Sequence, residues 1–263
     1  MSEAIRTDHV DEDQARRALI DTCLRFAPLG LNQGKSGNAS LRWHRGAEAG
    51  MLITPSGLAY ELTSLDDIVW VPFAQPAAAS ATLCDPGSSD QFEGRRPPRS
   101  APDDAPLQPP DRYDGRRIPS SEWRMHRDLY GGRDEARAIV HVHSPYATSL
   151  ACLPAIQARG IPAFHYMIAL AGGDDIRCAR YATFGTQALS DAVLDALAGR
   201  RACLLANHGQ IAFGASLEQA LALALELETL ARQYAQARQL GEPVLLDAAE
   251  MERVLRAFER YGR

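Results

Sequence analysis

A chain of 263 residues, 46% of them hydrophobic, is long enough to bury one sizeable core, and nothing in it demands a second domain. A net charge of −5 without any run of Lys or Arg excludes a nucleic-acid surface, and no apolar stretch approaches the roughly 18–20 residues of a membrane span. Five cysteines without CxxC spacing, and a polar, acidic stretch from Met1 to Gln14 in place of a signal peptide, lead us to expect a reduced, cytoplasmic protein.

In chain order, apolar residues at helical spacing (Ala15, Ala18, Leu19, Cys23, Phe26) predict a helix between Asp11 and Leu29. Short strands follow at 39–43, 51–54 and 68–71. Between 74 and 115 the texture changes: this stretch holds half of the prolines and few large apolar groups, so it reads as a disordered surface insertion. A helix is expected over 121–129, with Ser120 or Ser121 at its N-cap. Ile139–His143 reads as a strand, and Pro145 suits the first turn of another helix. Further helices are expected at 186–197 and 248–258, with strands on either side of His208. Ser216-Leu217-Glu218-Gln219 has the form of a capping box opening a long helix to about Leu240, with Leu217, Leu221, Ala224, Leu225 and Ala231 on one stripe. Helices and strands without regular βαβ alternation give a layered α/β fold around a largely antiparallel or mixed sheet.

The chemistry concentrates at His141-Val142-His143. Alternate residues of a strand share a face, about 7 Å apart at Cα, so both imidazoles can converge on one divalent ion. His208 follows the apolar run 202–206 and can supply a third ligand from a neighbouring strand end. Three histidines with an open position make a catalytic rather than a structural zinc site. A strand histidine is also commonly a hydrogen-bonded core group, so the pair gains weight from its surroundings. Glu122 stands at a helix start, either as a partner of the helix dipole or as a proton carrier beside the metal. Ser120 and Ser121 offer hydroxyls and amides suited to an anion. The turns Gly34-Lys35-Ser36-Gly37-Asn38 and Thr54-Pro55-Ser56-Gly57 are ordinary turns singly. Together with the serines they can cradle a phosphate, although none is a Walker motif.

These residues carry a resemblance. Over Leu29–Gly34, Gly37-Asn38, Met51–Pro55, Pro119–Arg124, the HxH strand, His165–Ala169, Ala171–Gly173, Tyr181–Thr186 and Asn207–Gly209, the chain resembles the class II aldolase/adducin family, most closely its L-fuculose-1-phosphate aldolases. The resemblance implies a three-layer αβα sandwich and one Zn2+ per subunit, held by His141, His143, His208 and Glu122. It implies that Glu122 also serves as the acid/base, that Gly37, Asn38, Ser56, Gly57, Ser120 and Ser121 hold the phosphate, and that Tyr166 and Phe184 orient the aldehyde half, with Tyr166 as proton donor. Phe258 and Tyr261 fall where the family's C-terminal tail closes over the pocket. The family forms homotetramers with sites between subunits. The expected reaction is reversible cleavage of a ketose 1-phosphate, L-fuculose 1-phosphate or similar, to dihydroxyacetone phosphate and a short aldehyde such as L-lactaldehyde.

The rival readings are a 5-deoxyribulose- or 5-methylthioribulose-1-phosphate aldolase, a sugar-phosphate 4-epimerase, and a non-catalytic adducin-like interaction module. Such epimerases carry Asp where Glu122 stands, and adducin-type heads lose zinc ligands that are all present here. Lys35-Ser36, and Gln210 where an apolar residue is usual, depart from the family pattern.

Overall fold

The computed structural model describes residues 11–75 and 108–260. Most of the expected insertion, and Tyr261, therefore lie outside the described residues. The insertion's two flanks are joined: Gln75 bonds through its amide to the backbone of Arg112, and Asp114 exchanges both backbone hydrogen bonds with Trp70.

Among the described residues, seven strands form one sheet. They are β1 (Asn38–Arg45), β2 (Glu48–Ile53), β3 (Val69–Pro72), β4 (Ala138–Val142), β5 (Cys178–Ala179), β6 (Ala202–Leu205) and β7 (Gly209–Gly214). Their order across the sheet is β3-β2-β1-β4-β7-β6-β5, antiparallel throughout except for the β5–β6 pair. The helices are α1 (Glu12–Leu24), α2 (Trp123–Gly132), α3 (Pro145–Ala151), α4 (Pro154–Arg159), α5 (Gln187–Ala196), α6 (Leu217–Leu240) and α7 (Ala248–Arg260).

Strand alternation divides the apolar residues into two cores. Ala138, Val140 and Val142 of β4 pack with Leu19 of α1, Ala147 of α3 and Leu221 and Ala224 of α6. Ile139 points the other way, into a core with Leu129 of α2 and Val193 of α5. Helices thus cover both faces, as the three-layer expectation holds. Each fully buried Leu or Ile contributes about 1.5–3 kcal/mol relative to exposure. By the same alternation His141 belongs to the α2 face.

Two cap expectations fare differently. Ser216 does cap α6, accepting from Gln219 N at 3.2 Å, but the Gln219 side chain takes Ala215 N instead of completing the reciprocal box. Neither Ser120 nor Ser121 caps α2. The N-cap is Glu122, with no side-chain cap bond, and Ser120 Oγ reaches only the Glu122 amide at 3.4 Å. Glu122 instead turns its carboxylate to Asn38 of β1 and His141 of β4. Sequence periodicity also missed α4 and β5, which are too short to show a period.

Candidate metal centre

His141, next to last in β4, sits beside Asn38, its registered partner on β1, and His143 lies just past the strand. Gly37 is obligatory at this corner. Its φ is +76°, and a Cβ there would meet the His141 carbonyl oxygen at 2.6 Å. Asn32 Oδ1 accepts from the His143 amide at 3.1 Å and its Nδ2 donates to the Ser36 carbonyl, so the Gly34–Gly37 loop is tied to the ligand strand. His208 sits in the turn joining β6 to β7. That turn needs a left-handed residue, and Asn207 supplies it with φ +54°.

The three imidazoles face one another with ring centroids 4.8–4.9 Å apart. His141 Nε2 lies 3.0 Å from His143 Nε2 and 3.1 Å from Glu122 Oε2, while His208 Nε2 lies 3.3 Å from Glu122 Oε1. One donor atom from each of the four residues falls within 4.8 Å of the others. His141 Nδ1 donates to the Gln210 carbonyl at 2.8 Å, which leaves the Nε2 lone pair of the neutral ring aimed at the focus. Glu122 Oε1 is buried without a hydrogen-bond partner. Lone pairs converging on a point, one of them otherwise unmet, are what a divalent cation satisfies. A set of three imidazoles and a carboxylate fits zinc in type and number.

The electrostatics agree with that geometry. Burial raises the Glu122 carboxyl, but the charge and hydrogen bond of His141, then His208 and Asn38, outweigh it and hold the group well below the usual carboxylate range. His141 is the exception: burial lowers it, but Glu122 and then the Gln210 carbonyl outweigh that and leave it raised, so a cation bound here would displace its proton. His143 and His208 are held down to about 3 and about 4 by burial and by His141, which keeps them in the neutral form a ligand needs.

A cavity of about 350 Å³ opens over this centre. Its rim carries the expected anion residues, Gly37, Asn38, Ser56, Gly57, Ser120 and Ser121, with Lys35 and Ser36 beside them. Two backbone bonds, Ser56 N to the Ile118 carbonyl and Ser120 N to the Thr54 carbonyl, hold the second turn against the serine pair. Phe184 lines the opposite side with Tyr181, and Arg124 fastens that loop through the Gly185 carbonyl at 2.8 Å. Tyr166 and Phe258 do not line this cavity; their rings stack on each other 6.3 Å apart, with Tyr166 half exposed. Sequence reasoning passed over the roles of Asn32, Tyr181 and His126.

The profile of the family described as Class II Aldolase and Adducin N-terminal domain matches residues 17–235. A 5-methylthioribulose-1-phosphate/5-deoxyribulose-1-phosphate aldolase of Rhodospirillum rubrum is 44% identical over 94% of this chain and 92% of its own. The L-fuculose phosphate aldolase of Escherichia coli K12 is 39% identical over 96% of this chain and 98% of its own. Among solved structures, an L-fuculose 1-phosphate aldolase superposes with a TM-score of 0.71 at 36% identity, covering 93% of this chain and 95% of the other.

Proposed function

We propose, from the premise that the chain belongs to the class II aldolase and adducin family and is an aldehyde-lyase, that it is a zinc enzyme cleaving a ketose 1-phosphate reversibly. The products would be dihydroxyacetone phosphate and a short aldehyde, with L-fuculose 1-phosphate or a close relative as substrate. The observation that carries this reading is one cavity holding both the four-ligand cluster and the Gly/Ser/Asn rim.

His141, His143, His208 and Glu122 would hold the ion, which supplies Lewis-acid stabilisation of the negative charge that develops on the donor half. The hydroxyls of Ser56, Ser120 and Ser121 and the amides of Gly57 and Ser121 bind the phosphate, so binding energy far from the reacting bond positions it. Glu122 removes or returns the proton at C3 of dihydroxyacetone phosphate, its Oε1 being the oxygen without a competing bond. Tyr166 delivers a proton to the aldehyde oxygen. Tyr166 and Phe258 stack away from their own cavity, which supports giving this role to a site on a neighbouring copy in a homotetramer. Unpaired Cys23, Cys152, Cys178 and Cys203 suit a reducing, cytoplasmic setting.

A second reading, 5-methylthioribulose- or 5-deoxyribulose-1-phosphate aldolase, is favoured by the 44% identical relative and differs only in the aldehyde half. One experiment tests both. Zinc-loaded protein is given dihydroxyacetone phosphate with L-lactaldehyde, acetaldehyde or methylthioacetaldehyde, and products are identified by NMR. Turnover of L-lactaldehyde with the highest kcat/KM supports the first reading, preference for either other aldehyde supports the second, and no aldol product with any of them overturns both. Mixing Tyr166→Phe and Glu122→Gln subunits should restore part of the activity if sites are shared between copies.

A further inference from the structure

Behind the ligands runs a buried line of polar side chains that the proposed reaction does not use. Asn38 Nδ2 donates to Glu122 Oε2 at 2.9 Å, and Asn38 Oδ1 lies 2.6 Å from His126 Nε2. On its other side His126 Nδ1 lies 2.7 Å from Ser40 Oγ, which lies 2.9 Å from the Tyr130 hydroxyl. His126 and Ser40 have no exposed surface, and Asn38 and Tyr130 almost none.

Donor and acceptor rules give the line a single direction. An amide oxygen only accepts, so the His126 nitrogen facing Asn38 carries the ring's proton. The Nδ1 of that neutral ring is then an acceptor, so the Ser40 hydroxyl donates to it and receives from Tyr130. Reversing the Asn38 amide would set an oxygen against the Glu122 carboxylate, which only accepts, so the carboxylate fixes the amide and the amide fixes the ring. His126 stands between α2 and the sheet beside Met125, Leu129 and Ile139. An apolar side chain would pack there without the cost of burying four polar groups. The line therefore has a use beyond packing.

We infer that His126 is a positioning residue for Glu122: its Nε2–H locks the Asn38 amide so that an N–H always holds Glu122 Oε2, leaving Oε1 to face the metal focus and the substrate proton. This inference rests on the reading of Glu122 as ligand and proton carrier. Outer partners of this kind typically change metal affinity or activity by about 10–100-fold.

The test compares His126→Gln, which keeps a donor near the Nε2 position, with His126→Leu, which keeps none. Zn2+ affinity is measured by competition with a chromophoric chelator, and thermal melting is recorded for each variant. The expected result is a loss of about 10-fold for His126→Leu and less than about 3-fold for His126→Gln, although both lose stability. In an Asn38→Ala background, His126→Leu should cost nothing further. Equal losses for Gln and Leu, or additive losses with Asn38→Ala, would show a purely structural role and overturn the inference. Should His126→Leu fail to fold, the tautomer decides: long-range 1H–15N spectra of histidine-labelled wild-type protein should show His126 protonated at Nε2, and protonation at Nδ1 overturns the inference. If the wild type binds zinc yet cleaves no ketose phosphate, the proposed function fails, while these affinity and tautomer results still decide the role of His126.

Discussion

Asp67 and Glu122 are both buried carboxylates held below their usual range by basic side chains, yet they do different work. Asp67 Oδ2 accepts from the Ser64 amide at 2.9 Å and hydroxyl at 2.8 Å, and Oδ1 accepts from the Nε atoms of Arg116 and Arg117 at 2.9 Å each. Its lowered pKa comes first from the Arg116 hydrogen bond, opposed by burial and then reinforced by Ser64 and Arg117. Its cations are guanidiniums, which neither lose protons nor ligate metals. Glu122 instead faces imidazoles, which do both, and keeps one oxygen without a hydrogen bond. Burial and a depressed pKa therefore do not mark a reactive site by themselves. Exchangeable partners and an unmet lone pair do.

The contrast can be broken at its strongest point first. Glu122→Gln should lower kcat by about 10³-fold while the protein stays folded, as read by steady-state cleavage and circular dichroism; retained proton exchange at C3 of dihydroxyacetone phosphate would remove Glu122 from the reaction. His208→Ala should weaken Zn2+ binding by at least about 100-fold, measured by chelator competition, because a ligand rather than an outer partner is lost. Gly37→Ala should destabilise the fold by about 2 kcal/mol or more in urea melts, since the new Cβ meets backbone at a left-handed position.

Asp67→Asn should cost about 1.5–3 kcal/mol at pH 7 with kcat unchanged, the reverse of the Glu122 result. The sign with pH follows from the depressed carboxyl. Its stabilisation is complete above the unfolded value near 3.9 and is lost as pH falls towards the folded one, so the gap between wild type and Asp67→Asn in urea midpoint should shrink below about pH 4. The smallest effect is expected at Gln210. Its Nε2 bonds Ser144 Oγ and the Ala224 carbonyl, but its Oε1 is buried and unmet, so Gln210→Leu should change stability by no more than about 1 kcal/mol.

What the sequence made legible follows from short-range geometry. His141 and His143 could be placed together because a strand repeats every two residues, and Ser216 announced α6 because a cap acts over three. The N-cap of α2 was misread because its serines look like caps locally, whereas the demand on Glu122 comes from β1 and β4. His126 gave no signal at all. It is one polar residue on an amphipathic helix, and its partners Asn38 and Ser40 lie 88 and 86 residues away. Long-range hydrogen bonds leave no period in a sequence.

The register that sets Asn38 against His141 bears on how the protein assembles itself. The centre draws on bonds spanning 69 and 84 residues, so it stays incomplete until β1, β4 and β7 have zipped together. Metal uptake would then be a late event in folding and not its seed. Zinc added to a refolding mixture should leave the early rate untouched and deepen only the final state.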